Sequence, residues 1–323
     1  MPRIRVNSNL LLSIIVPWMG DDAQYETTLA TILRYQPERS EVLVPHGPRF
    51  VDRFGLSGEV QFVRCASDSP GISQRSSEPG LSALLQEAVK QASGSVIHLV
   101  LPGIEVCEYW TQKPVATICN DNQVGMVAIP VQHNRAHRPR RIQGIELTER
   151  IVRRLVQQDN ETNGEHAWRE QGLIGPSAWC AFYDRLALNR YFSNRTGCCG
   201  GLANTEVDVD IALTLKSLDY LFEFVTQPAV TCEFDLARKE QQFTSFESQR
   251  LRIRHADLLP AMTVWERGRH LLSDLIDRLT FKSRHRTSLT RAQVRRVFEA
   301  DANFARAKAA DIHADARPSR RAA

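Results

Sequence analysis

Short apolar runs alternate with amphipathic segments along most of the chain. Leu10–Val16 is a branched apolar run that stops at Pro17, a pattern typical of a buried strand. The same pattern predicts further strands over Glu41–Val44, Val60–Val63, Val96–Leu101, Gly125–Val131 and Trp179–Tyr183. Helical spacing of apolar residues predicts helices from Asp21-Asp22 through Leu33, over Leu81–Ala92 and over Thr205–Leu218.

The order of these elements predicts an α/β fold. Strand, helix and strand in succession form right-handed βαβ units, and such units build a mostly parallel twisted sheet flanked by helices. Ligands of these sheets bind beyond the carboxyl ends of the strands. The loops Trp18–Ala23, Pro45–Phe50 and Pro102–Glu105 are therefore the first places to look for a site.

The remaining segments suggest how the chain is divided. Residues 133–172 are polar, with a helix predicted over Ile151–Gln158, and the chain becomes helical in character after Cys232. Pro260 suits a first helical position and precedes an apolar stripe. We expect an N-terminal arm over residues 1–9, an α/β domain over 10–235, a C-terminal helical extension over 236–303 and a basic flexible tail over 304–323.

Composition narrows the classes of function. Of 323 residues, 42% are hydrophobic and 24% charged, so the chain can bury a large core. The net charge of +4 is too small to indicate a polyanion, and a nucleic-acid partner is not expected. The seven cysteines are odd in number and irregularly spaced, as in proteins with reduced thiols, and we interpret them as packing residues.

The distribution of charge along the chain indicates one further possible partner, an anionic membrane surface. Cations crowd together from Lys282 to Arg296, and Arg317, Arg320 and Arg321 follow near the C-terminus. Such a basic segment is suited to peripheral contact with an anionic membrane surface. No apolar stretch reaches the ~20 residues that span a bilayer, and Leu10–Val16 lacks a small-residue cleavage site. The expected location is the cytoplasm.

Two nucleotide-binding fingerprints are missing, while another pattern is present. The chain has neither G-x-G-x-x-G after the first strand nor G-x-x-x-x-G-K-[ST], which argues against dehydrogenases and P-loop proteins. The strand Leu12–Pro17, the strand Ser40–Val44 and the segment Ala88–Ile97 together resemble the family 2 glycosyltransferases. Gly200-Gly201-Leu202 and Asp208-Val209-Asp210-Ile211 are similar to that family's glycine pair and acidic E-D-x-D-L segment.

The resemblance covers roughly residues 10–232. It implies a GT-A-type fold, a nucleotide-sugar donor, and a glycan or other hydroxyl-bearing acceptor. In this family the fourth strand runs into a D-x-D motif that holds a divalent ion, but the matching positions here are Leu101-Pro102-Gly103. Hard cations need several oxygen ligands, and Glu105 supplies one carboxylate nearby. We therefore expect no metal site and no cofactor.

Asp208 is the position that the resemblance assigns to the general base, the group that takes a proton from the acceptor hydroxyl. The alternative is structural. Thr205-Glu206-Val207-Asp208 has the form of a capping box, which stabilises a helix N-terminus without any chemistry. The two interpretations of Asp208 have equal weight, while Glu206 and Asp210 are better explained by a structural role.

The candidate donor-binding residues lie at strand ends and in a basic loop. Pro17, Trp18 and His46 follow the first two strands, where Trp18 either stacks on a base or packs. Arg138 and Arg140 belong to a basic loop that either neutralises a diphosphate or is simply solvated. Two functions compete: a glycosyltransferase that works without the usual metal site, and an inactive GT-A-like module that binds a glycan, a nucleotide or a partner protein.

Overall fold

The computed structural model describes residues 11–65, 79–133, 141–147, 153–158, 173–193, 206–226 and 230–232, together with 251, 254, 255 and 258. Its main sheet has seven strands in the order β12-β6-β11-β4-β1-β2-β3. These strands are β1 (Leu12–Ile15), β2 (Ser40–His46), β3 (Gln61–Arg64), β4 (Val96–Val100), β6 (Val124–Ala128), β11 (Cys180–Asp184) and β12 (Leu221–Phe224).

Pairing in the main sheet is mostly parallel, as predicted. β1 runs parallel to β2 and β4, β2 runs parallel to β3, and β6 runs parallel to β12. β11 lies between β4 and β6 and is antiparallel to both. The central strands β1, β4 and β6 are buried at every position, which explains why they are continuous apolar runs.

A second sheet contains the shorter strands in the order β10-β8-β7-β13-β5, with β9 paired to β8. Its strands are β5 (Ile104–Glu105), β7 (Val131–His133), β8 (Arg141–Leu147), β9 (Arg153–Gln158), β10 (Leu173–Gly175) and β13 (Val230–Cys232). The helix predicted over Ile151–Gln158 is wrong, because residues 153–158 form a strand that pairs with β8. The strand predicted over Gly125–Val131 is divided between β6 and β7, with Pro130 between them.

Five helices flank the main sheet within the described part of the chain. They are α1 (Asp22–Arg34), α2 (Leu81–Gln91), α3 (Gln112–Asn120), α4 (Arg185–Ser193) and α5 (Val207–Ser217). The Asp21 carboxylate caps α1 by accepting from the Gln24 amide. Helix α2 packs on β2 and on α4, α4 packs on α5, and α3 lies across β6 and β11. Among these helices none combines the length and apolar character needed to cross a bilayer.

The amino ends of β1, β2 and β4 are tied together by a partly buried polar cluster. The Glu41 carboxylate accepts from the Ser13 hydroxyl at 2.5 Å and from the Ser93 amide at 2.6 Å. The Ser13 hydroxyl accepts in turn from the Gly94 amide at 2.8 Å. A Cβ at Gly94 would lie 2.6 Å from the backbone of Leu12 and Ser13, so only glycine fits. This edge is closed by structural contacts, which leaves the opposite edge for ligands.

Candidate functional site

The carboxyl ends of β1, β2 and β4 meet at one edge of the main sheet. Parallel register sets Ile15 of β1 beside Leu43 of β2 and Leu99 of β4. The amide of Trp18 donates to the Pro45 carbonyl at 3.0 Å, which continues the pairing past the strand ends. Pro17, His46 and Gly103 therefore share this edge, as the sequence predicted.

An aromatic cluster lies at this edge, and it includes two of the predicted donor-binding residues. The Phe50 ring lies in the middle, with its centroid 5.7 Å from that of Trp18 and 4.6 Å from that of His46. Tyr25 from α1 and Phe62 from β3 complete the cluster, with centroids 6.0 Å and 5.1 Å from Phe50. The sequence singled out Trp18 and His46 but not the rings around them.

Charged side chains border this cluster. The Trp18 indole donates to one Asp22 oxygen at 2.9 Å, and the Arg53 guanidinium contacts the other oxygen at 2.9 Å. The Asp52 carboxylate accepts from the amides of Phe54 and Leu56 and so closes a turn after β2. Sequence reasoning missed Asp22, Arg53 and Asp52 as site candidates, although each lies in a loop or helix start directly after one of the two strands.

The end of β4 does not offer the ligands of a divalent ion. Leu101, Pro102 and Gly103 have no side-chain oxygen, and the Gly103 amide donates to the hydroxyl of Thr28 at 2.8 Å. Glu105 follows in β5 as a single carboxylate. Across the described residues, no three His, Cys, Asp or Glu side chains come together in a way that could hold a metal. These residues therefore do not fit the Mn²⁺ or Mg²⁺ site that a GT-A-type fold implies.

Behind this loop, the side chain of His98 in β4 is fully buried and forms polar contacts inside the core. Its Nδ1 donates to the Ala181 carbonyl at 3.1 Å, and its Nε2 accepts from the Trp110 indole at 3.0 Å. The imidazole stacks on Phe182 with centroids 3.6 Å apart. Burial lowers the pKa of His98 to about 3, with the Ala181 hydrogen bond opposing the shift. The neutral ring fixes the start of α3 against β4.

Asp208 lies in the first turn of α5 and is 1% exposed. One of its carboxylate oxygens accepts from the Ala178 amide at 3.1 Å, and the other accepts from the Val209 amide at 2.9 Å. The helix N-cap is Glu206, which makes no side-chain capping bond. Thr205, the first residue of the proposed capping box, lies outside the described residues. Asp208 thus anchors α5 to the segment that leads into β11.

Asp210, two residues further along α5, is a buried anchor point. Its carboxylate accepts from the Tyr191 hydroxyl of α4 at 2.7 Å, from Arg254 at 3.1 Å and from His255 Nε2 at 3.0 Å. These donors come from α4 and from a segment more than forty residues later in the chain. The contacts are those of a structural residue, which agrees with the role that the sequence favoured for Asp210.

Several predicted features lie outside the described residues. These are Arg138 and Arg140, the glycine pair Gly200-Gly201, the N-terminal arm, the basic tail and most of the predicted helical extension. Their proposed roles remain predictions. The described part of the candidate donor edge therefore consists of Trp18, His46 and their neighbours from α1 and the loop after β2.

Comparison with known proteins identifies the fold. No protein-family model matches the sequence, and no curated protein matches it. The structure is similar to that of GalNAc-T7 with UDP, GalNAc and Mn²⁺, with a TM-score of 0.50 and 13% identity over 70% of this chain and 43% of the other. It also resembles a mannosyltransferase from Pyrobaculum calidifontis in complex with GDP-Man and Mn²⁺, with a TM-score of 0.42 and 13% identity over 83% and 64% of the two chains.

This chain therefore spans less than half of GalNAc-T7 and just under two thirds of the mannosyltransferase. At such low identity the likeness concerns the fold alone. The seven-stranded, mostly parallel sheet and its flanking helices match the arrangement in the first of these structures. The chain has the α/β fold of the GT-A glycosyltransferases.

Proposed function

We propose that this protein binds a nucleotide-sugar donor and transfers its sugar to a hydroxyl-bearing acceptor, such as a glycan. The observation that carries the proposal is the aromatic cluster at the carboxyl ends of β1 and β2, bordered by Asp22 and Arg53. In open α/β sheets this edge is where ligands bind. Both glycosyltransferase structures compared above contain a nucleotide or nucleotide sugar.

In this proposal the aromatic residues bind the nucleobase of the donor, and the basic residues bind its diphosphate. Trp18, packed against Phe50, and His46 supply ring faces for a nucleobase, and Pro17 shapes the turn beside them. Arg138 and Arg140 would neutralise the diphosphate, since guanidinium groups pair with phosphate oxygens in a bidentate manner. Because Leu101, Pro102 and Gly103 provide no oxygen ligands, we expect donor binding without a divalent ion.

Transfer requires a base for the acceptor. The acceptor oxygen attacks the anomeric carbon while the bond from that carbon to the diphosphate breaks, and the nucleoside diphosphate leaves. In this proposal the hydroxyl proton passes to the Asp208 carboxylate. The backbone amides of Ala178 and Val209 fix the orientation of that carboxylate.

A second candidate is an inactive GT-A-like module that binds a nucleotide, a glycan or a partner protein. Two observations favour it: Asp208 is 1% exposed, and the end of β4 lacks metal ligands. The basic C-terminus would give either version a peripheral contact with an anionic membrane. The two candidates share the donor edge and differ in turnover.

The test begins with thermal unfolding in the presence of a panel of nucleotide sugars, each with and without EDTA. A donor that binds raises the midpoint by mass action, and the rise should survive EDTA. The donor that passes this step is then used to look for release of nucleoside diphosphate with candidate acceptors. No shift with any nucleotide sugar would refute donor binding, and binding without turnover would select the inactive module.

A further inference from the structure

Phe50 occupies the centre of the aromatic cluster although it belongs to a loop. Its ring contacts Trp18 from the end of β1, His46 from the end of β2, Phe62 from β3 and Tyr25 from α1. The ring centroids lie 4.6–6.0 Å from that of Phe50, the usual range for packed aromatic pairs. A single loop side chain therefore fills a slot whose walls come from four different elements.

The hydrogen bonds described for the loop that carries Phe50 close turns within the loop itself. The Phe50 amide donates to Gly47 at 3.4 Å, and the Asp52 carboxylate accepts from two amides further along the loop. The ion pair between Arg53 and Asp22 connects the loop to α1, but these side chains are 66% and 41% exposed. Exposed ion pairs contribute little to stability, so the packing of the Phe50 ring in the slot is the main described contact that keeps the loop in place.

Tyr25 gives the slot an unused polar group. The residue is 3% exposed, and within the described part of the chain its hydroxyl has no hydrogen-bond partner. The Tyr25 ring lies beside the loop, with its centroid 6.0 Å from that of Phe50. Burial raises the pKa of Tyr25 above its usual range, and the charges of Asp52 and Asp22 raise it further. A buried hydroxyl without a partner is costly, and its presence here points to a ligand that pairs with it.

We propose that Phe50 is a displaceable plug in a slot for the planar heteroaromatic base of a nucleoside diphosphate. The base enters between Trp18 and His46 when the loop carrying Phe50 moves outward, and its polar edge then pairs with the Tyr25 hydroxyl. This inference rests on the proposed function, since it concerns the same edge of the sheet. Only the form with Phe50 displaced binds the base. The apparent affinity for the nucleotide is therefore reduced in proportion to the fraction of molecules in that open form.

The experiment compares calorimetric binding of uridine, cytidine, guanosine and adenosine diphosphates to the full chain and its variants. Phe50→Ala should bind the preferred nucleotide about tenfold more tightly than the parent if the open form is about 10% populated. Phe50→Leu keeps more of the apolar volume, so it should fold even where alanine does not, and should shift affinity in the same direction. Phe54→Ala is the matched control: it lies in the same loop, is 49% exposed and should bind like the parent.

The double variant with Tyr25→Phe and the Phe50 substitution should bind the nucleotide severalfold more weakly than the Phe50 single variant. The reason is that the hydrogen bond between the base and the Tyr25 hydroxyl is lost. Binding by the Phe50 variants alone, with none by the parent, would also support the plug. A parent that binds as tightly as both Phe50 variants would overturn the plug and leave the donor proposal intact. Failure of the parent and both Phe50 variants to bind any nucleotide would overturn the plug and the donor proposal together.

Discussion

Acidification should destabilise this protein through His98. The imidazole is fully buried, and burial lowers its pKa to about 3 from an ordinary value of 6.5. Between these two values the unfolded chain binds a proton that the folded chain excludes. The free energy of unfolding that the neutral His98 contributes is therefore fully present above about pH 6.5. It decreases as the pH falls toward 3.

The size of the effect follows from the shift. One pKa unit corresponds to about 1.4 kcal/mol, so at pH 5, some 1.5 units below the unfolded value, the loss is about 2 kcal/mol relative to neutral pH. That is a sizeable part of the about 5–15 kcal/mol that stabilises a typical domain. A variant is needed to isolate the contribution of His98 to the change in stability with pH.

His98→Gln removes the titrating group, and Phe182→Leu removes only the ring stacked upon it. Urea unfolding at pH 7 and pH 5 should show that the parent and Phe182→Leu lose the same free energy on acidification. His98→Gln should lose about 2 kcal/mol less, although it is less stable at pH 7 because its hydrogen bonds are altered. An acid-induced loss as large in His98→Gln as in the parent would refute the neutral, buried imidazole.

Further expectations concern packing and the acidic segment of α5. Gly94→Ala should destabilise the fold by about 1–3 kcal/mol, because its Cβ would meet backbone atoms at 2.6 Å, whereas Gly58→Ala, with open space around it, should cost much less in the same urea titration. Asp208→Asn should remove most turnover and leave nucleotide affinity nearly unchanged, a split that kcat and calorimetry measure separately; equal turnover would eliminate it as the base. Asp210→Ala should cost about 3–5 kcal/mol in thermal or urea unfolding, because it leaves buried donors without their carboxylate, while Tyr191→Phe should cost about 1 kcal/mol.

The parallel strands could be predicted because strands buried on both faces are continuous apolar runs in the local sequence. The apolar runs at Leu12–Ile15 and Val96–Val100 each end at a proline-containing turn, and parallel pairing brings those ends to one edge. The helix predicted over Ile151–Gln158 is wrong because Leu155 and Val156, with Ile151 and Val152 before them, also fit helical spacing. Its conformation is decided by pairing with β8, a contact that local periodicity does not encode.

The site was predictable in position but not in detail. Trp18 and His46 could be placed because they directly follow strands. The central role of Phe50 depends on how its loop folds back, and that depends on the carboxylate of Asp52 closing a turn. The donors to Asp210 lie more than forty residues away in sequence, so no local motif reveals them.

The place of β11 in the main sheet has a consequence for synthesis of the chain. β6 is completed at Ala128, yet both of its neighbours in this sheet, β11 and β12, are made only with residues 180–184 and 221–224. A nascent chain therefore carries an apolar strand with two unpaired edges while the ribosome adds about a hundred residues, at about 5–20 residues per second. The strands β1 to β4 do not remain unpaired in this way, because each can pair with another strand once the first hundred residues have been made. Fragments that end between residues 130 and 180 should consequently aggregate, whereas those ending near residue 224 should remain in solution.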